Sequence, residues 1–177
     1  MPKRVVKTDD LDTAHVSLAK PEETDSKTRF ARADMPLMQT HEMAYAYDGR
    51  EMELLCNPEH ADAVHRIDEA LCTTISENSE AWFGQQITYD QIERMFRPTL
   101  LGSKNPRQVL KKAPTFSTFN VNNKTTDTFP GSGSGIFIIK VEGVKFGEKV
   151  CEAQWSVVQA KESLPSAPAD SSPLFVA

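Results

Sequence analysis

Apolar and polar residues alternate along two short runs, Glu42 to Tyr47 and Arg50 to Leu55, on either side of Asp48-Gly49. A period of two sends every second side chain to the same face of a strand. Asp-Gly between such runs tolerates the positive φ angles of a type I′ turn, so the segment predicts a β-hairpin. The period then changes. Asn57 is a helix cap, Pro58 sits where its missing N–H costs nothing, and Val64, Ile67, Leu71 and Ile75 recur at three-to-four spacing as far as about Asn78. Ala81-Trp82-Phe83-Gly84 breaks this helix, with Gly84 suited to a left-handed turn and Trp82 and Phe83 expected to pack on the sheet. Thr88 and Gln91 form a capping box for a short second helix bearing Ile92, Met95 and Phe96, which Pro98 ends.

Beyond Pro98 the pattern is that of strands. Arg107 to Val121 is rich in Lys, Thr and Phe, and loops follow at Asn122-Asn123-Lys124 and at Pro130 to Gly135. Gly135 to Val144 predicts a β-branched strand, and Val150 to Lys161, after a turn at Lys145 to Lys149, its antiparallel partner. On that partner Cys151, Ala153, Trp155 and Val157 share one face, which assigns Trp155 to the core. Residues 1–35 mix both charges with few large apolar side chains and are expected to form a flexible or docked N-terminal arm. Residues 36–161 then make up one domain with a helical insert at 57–97, and the Pro- and Ser-containing residues 162–177 a disordered tail with an apolar tip.

Charge is sorted along this pattern. From His41 to Glu93 twelve acidic residues face only Arg50 and Arg66, a net of −10. From Arg94 to Lys161 eleven Lys and Arg face Asp127, Glu142, Glu148 and Glu152, a net of +7. The overall −5 thus hides a basic, β-rich half that also carries most of the phenylalanines. Cations interleaved with aromatics suit a polyanion with exposed bases. The acidic segment reads either as a solvated helix face or as a surface for a protein partner.

Several classes drop out. No apolar run approaches the roughly 18 to 20 residues of a membrane span, and no signal core follows Met1-Pro2-Lys3-Arg4, so no membrane partner is expected and the reading is intracellular. Cys56, Cys72 and Cys151 are odd in number and lack a Cys-x-x-Cys pair, which predicts reduced thiols and neither a disulfide framework nor zinc. His60 and His65 are five apart on the first helix, the wrong spacing for a metal pair, and are expected to be solvent-exposed. The Gly131 to Gly135 run precedes a strand and lacks a following Lys-Ser/Thr, so it is a loop and not a phosphate cradle. Asn123-Lys124-Thr125 matches a glycosylation sequon that an intracellular chain leaves unmodified. No nucleophile elbow or catalytic His pairing occurs; no enzyme, metal or cofactor is expected.

Three short stretches carry a resemblance: Arg66-Ile67-Asp68-Glu69, Asn78 to Gly84, and Ile92 to Pro98, followed later by Gly143 to Gly147 and Gln154 to Gln159. Across about residues 36 to 161 the chain resembles a family of single-stranded-DNA-binding proteins from large DNA viruses of algae and protists (phycodnavirus and mimivirus type), itself considered similar to the single-stranded-DNA-binding protein of phage T7. The resemblance implies an α+β, mainly β fold: an OB-like antiparallel barrel of five strands with inserted or appended helices. It also implies sequence-non-specific binding of single-stranded DNA in viral replication or recombination, in the host nucleus or a cytoplasmic viral factory. The phage-type proteins recruit replication proteins through an acidic tail ending in an aromatic residue; here Phe175 stands near the end, but Asp170 is the one charge after Glu162.

On this reading Arg107, Lys111, Lys112, Lys124, Lys140, Lys145 and Lys149 neutralise phosphates, Phe116, Phe119 or Phe129 stack bases, the first two favoured by their Lys- and Thr-rich strand, and Phe175 meets a protein partner. Strand alternation puts Phe116 and Phe119 on opposite faces, so at least one of them should be buried. RNA in place of DNA and self-association are left open by the sequence. The rival reading is a non-enzymatic virion protein, a minor capsid or internal component whose extended termini contact its neighbours.

Overall fold

The structure, a computed structural model, describes residues 4–25 and 27–164. In chain order it has β1 (Val5–Lys7), β2 (Ser17–Leu18), β3 (Glu22–Asp25), β4 (Thr28–Asp34), β5 (Leu37–Gln39), β6 (Met43–Tyr47) and β7 (Glu51–Leu55). Then come α1 (Pro58–Phe83), α2 (Tyr89–Met95), β8 (Phe96–Arg97), β9 (Arg107–Phe119), β10 (Thr125–Thr126), β11 (Ser132–Phe146) and β12 (Cys151–Ser163). Among the described residues the protein is mostly β, with two α-helices and one sheet of twelve strands.

Five of these strands pair in a cycle. β6 pairs β7 (Tyr45 opposite Leu54), β7 pairs β9 (Met52 opposite Leu110), and β9 pairs β12 (Lys111 opposite Ser156). β12 pairs β11 (Trp155 opposite Val141), and β11 returns to β6 (Gly135 opposite Met43). The sheet is mixed, where the family resemblance implies antiparallel strands: β9–β12, β1–β5 and β8–β12 run parallel. Inside the cycle Tyr45, Met52, Leu54, Leu110, Phe137, Ile139 and Val157 are buried, in one cluster with Val64, Ile67, Leu71 and Ile75 of α1.

β11 is long enough to serve several partners. Along one edge it follows β12; along the other it meets β6 at 132–135, β5 at 138–139 and β4 at 143–146, so Ser132 to Gly135, read from sequence as a loop, are the first residues of a paired strand. Residues 28–34, within the segment read from sequence as the arm, are thus a strand of the sheet, with Ala31 and Ala33 buried. Gly143 is what allows β4 so close: a Cβ there would meet the carbonyl oxygen of Ala31 and lie 2.5 Å from the Phe30 ring. The apolar face of β4 is made of alanines, too small to register as a hydrophobic alternation.

The hairpin, both helices and the capping box form where the periodicity predicts them, with three corrections. Only Gly49 takes a positive φ at the first turn (91°), and the register pairs Tyr47 with Met52, so the turn centres on Gly49-Arg50 and is not type I′, which needs two positive φ residues. The Asp48 carboxylate accepts from the Arg50 and Glu51 amides and sets this turn one residue later. α1 runs on to Phe83 instead of stopping near Asn78, because Gly84 (φ 77°) is its left-handed cap and Phe83 is held by the Phe146 ring at 5.5 Å. His60 is not solvent-exposed: it is 0% accessible, and its Nε2 lies 2.6 Å from Gln108 Oε1 of β9. Burial pushes its pKa below the ordinary value.

Candidate nucleic-acid interface

Residues opposite one another on paired strands point to the same side of a sheet. Phe137, Ile139 and Val157 point inward, so the rows between them point out. The first outward row across β11, β12 and β9 is Ile136, Lys161 and Phe119. The second begins on β1 and β5: Lys7, Gln39, Ile138, Gln159, Ser117. The third is Lys140, Ser156, Lys111 and Glu51. Further along lie Arg32, Gly143 and Gln154, then Phe30, Lys145, Glu152 and Arg97. From Ile136 to Lys145 this face is about 30 Å long at roughly 3.3 Å per residue.

Two kinds of chemistry meet on it. Lys140 Nζ sits 3.3 Å from Glu142 Oε1, which also accepts a 2.6 Å hydrogen bond from Ser156 Oγ, and Arg97 Nη1 lies 3.7 Å from Glu152. Lys7, Arg32, Lys111, Lys145 and Lys161 make no ion pair within 4 Å among the described residues. At one end Phe119, Ile136 and Ile138 line a cleft of about 290 Å³ with Gln39, Asn123 and Gln159, and Lys161 stands at its side. An aromatic wall with a cation beside it can stack a base while holding its phosphate.

A second cleft of about 280 Å³ lies at Lys111 and Arg97, over the half-exposed connector after β8. Its floor is fixed by a chain of hydrogen bonds. Trp155 Nε1 donates to Thr99 Oγ1 (3.1 Å), and Thr99 donates through Oγ1 (2.6 Å) and its amide (2.9 Å) to the Asp68 carboxylate of α1. Burial raises the Asp68 pKa against the lowering effect of those two donors. Trp155 is 4% exposed, consistent with its inward phase on β12.

Of the residues proposed from sequence, Lys111, Lys140, Lys145 and Phe119 fall on this one face. Arg107 lies at the start of β9, paired with Glu53 at 3.0 Å, and Lys149 lies in the turn between β11 and β12. Lys124 closes the turn opened by Asn120, beside the cleft. Lys112 is opposite the inward Val157, although its own side chain is exposed. Phe116 packs against Tyr47 at 5.9 Å, away from the face. Between Lys112 and Ser117, β9 bulges by four residues against one on β12, including Pro114, which has no N–H to give the ladder. That bulge decides which phenylalanine faces out. Phe175 lies outside the described residues. Sequence reasoning missed Lys7, Phe30, Arg32, Ile136, Ile138, Gln159 and Lys161, because only the strand order brings them onto one face with β9.

Among the described residues no cluster of three or more His, Cys, Asp or Glu could hold a metal ion, and no helix is long and apolar enough to cross a membrane.

No protein-family model matches the chain, and no curated protein sequence matches it. Solved structures similar to it include the single-stranded DNA-binding protein from bacteriophage Enc34 in complex with ssDNA, at 7% identity and a TM-score of 0.45 over 86% of this chain and 98% of that one. The same phage protein alone gives 0.45 at 7% identity over 90% and 96% of the two chains. Its C-terminal truncation gives 0.48 at 7% identity over 86% and 96%.

Proposed function

We propose that this protein binds single-stranded DNA along the outward face of β9, β12 and β11. The observation that carries the reading is the coincidence, on one face, of an aromatic cleft and five cations that have no ion-pair partner among the described residues. Lys7, Arg32, Lys111, Lys145 and Lys161 hold successive phosphates, Lys140 joins them when the strand competes for its Glu142 partner, and Phe119 stacks a base. Lys112, Lys124 and Lys149 extend the field around the face; Arg107 and Phe116 serve it through structure. A chain of net charge −5 has no general attraction for a polyanion, so binding has to come from this sorted surface.

The cycle β6–β7–β9–β12–β11 supports an OB-like barrel as the scaffold, with α1 and α2 inserted between β7 and β9. Phosphate contacts and stacking are largely indifferent to sequence, which suits a non-enzymatic role in viral replication or recombination as the resemblance to the large-virus family implies. The proposed setting is the host nucleus or a viral factory, with replication proteins as partners of the C-terminal segment around Phe175 and RNA as the competing strand.

The test is a fluorescence-anisotropy titration of the purified chain with an oligo-dT strand at two salt concentrations. Salt-sensitive binding is expected. No binding at low salt, together with recovery of the protein from purified particles, would move the assignment to a virion structural component.

A further inference from the structure

We propose, resting on single-strand binding at this face, that the cleft beside Phe119 reads one purine base by its Hoogsteen edge. A groove that only held phosphates would need cations and nothing else. This one brings together three carboxamides from three distant segments: Gln39 of β5, Gln159 of β12 and Asn123 of the turn after β9. None of the three side-chain amides makes a hydrogen bond to another described residue, and none is fully buried. They are open polar groups around an apolar slot made by Phe119, Ile136 and Ile138.

The geometry suits a flat ring. Gln39, Ile138 and Gln159 are directly opposite one another on adjacent strands, so the two glutamines flank Ile138 with backbones about 10 Å apart. A base laid on Ile138 and stacked against Phe119 has an amide on each side. A carboxamide offers an acceptor and a donor side by side, the complement of N6 and N7 of adenine; the Lys161 ammonium offers donors to N7 and O6 of guanine. A pyrimidine presents only one of these groups on the corresponding edge and has a smaller face to stack. The strand is therefore held mostly without regard to sequence, with one position at which a purine is favoured.

The experiment uses the full chain and a set of abasic twelve-nucleotide DNA strands, each carrying one central base: adenine, guanine, cytosine or thymine. All share the same phosphates, so only the base differs. The adenine and guanine strands are expected to bind about tenfold more tightly than the cytosine and thymine strands, the low end of one two-point contact. In Gln39→Leu with Gln159→Leu the adenine-to-thymine ratio falls below about twofold. Asn123→Gly gives a partial fall; glycine is the replacement of choice because Asn123 sits at φ 63°. Four equal affinities would overturn the purine reading while leaving strand binding intact. Failure of all four, and of an ordinary mixed-sequence strand, at low salt would overturn the proposed function itself.

Discussion

Removing Lys161 together with Lys111 tests the face quantitatively. Each phosphate neutralised on a single strand contributes about −0.7 to the slope of log affinity against log salt. Five cations on the face lack an ion-pair partner among the described residues, which sets a slope of about −3.5. Raising salt fourfold, from roughly 50 to 200 mM, should then weaken binding about a hundredfold. Lys111→Ala with Lys161→Ala leaves three such cations, a slope of about −2.1 and a loss of about twentyfold over the same interval. Arg107→Ala is the control, since that guanidinium is engaged by Glu53 at 3.0 Å and should leave the slope where it was. Anisotropy titrations with a labelled oligo-dT strand at four salt concentrations give all three slopes. A wild-type slope near −1, or a double variant whose slope matches the wild type, would refute the assignment of these lysines to phosphates.

Phe119→Ala should weaken strand binding by about 1 to 3 kcal/mol, the worth of one stacked base, while Phe116→Ala, which removes packing on Tyr47, should lower the unfolding midpoint more than the affinity. Gly143→Ala should cost about 1 to 3 kcal/mol in urea unfolding, because its methyl group would enter the space of the Ala31 carbonyl and the Phe30 ring; an unchanged midpoint would mean β4 does not lie on β11. His60 is buried with a lowered pKa, so the unfolded chain takes up its proton first. Its contribution to stability is present above about pH 6.5 and is lost as pH falls, by as much as about 1.4 kcal/mol per unit. Asp68, raised by burial, acts with the opposite sign, so the readout is the difference between wild type and His60→Gln in urea midpoints from pH 7.5 to 5.5, with a flatter profile expected in the variant.

Much of this molecule is legible in its sequence where the signal is local. Asn57, Pro58 and Thr88 to Gln91 mark helix starts by hydrogen bonds within one turn, and the inward phase of Trp155 follows from alternation on β12. What escapes is set by contacts far apart in the chain. His60 reads as a surface residue because its partner Gln108 is 48 positions away. The strand β4 hides in a mixed-charge leader because its buried positions are alanines and its docking site is a glycine on β11. The basic half is visible as a count of charges, but Lys7 and Arg32 join it only through β5 and β4, and Lys161 takes its place beside Phe119 through a parallel pairing. Bulges at Ile138/Ile139 and Val157/Gln159 shift the alternation, so face assignments by simple parity fail beyond them.

The most direct measurement is lysine footprinting: brief acylation of the native protein with and without an oligo-dT strand, read by mass spectrometry at each lysine. Protection of Lys7, Lys111, Lys145 and Lys161 on strand binding is expected, with Lys104, in the loop before β9, modified equally in both samples. Protection of Lys104 with the first four unchanged would refute the assignment.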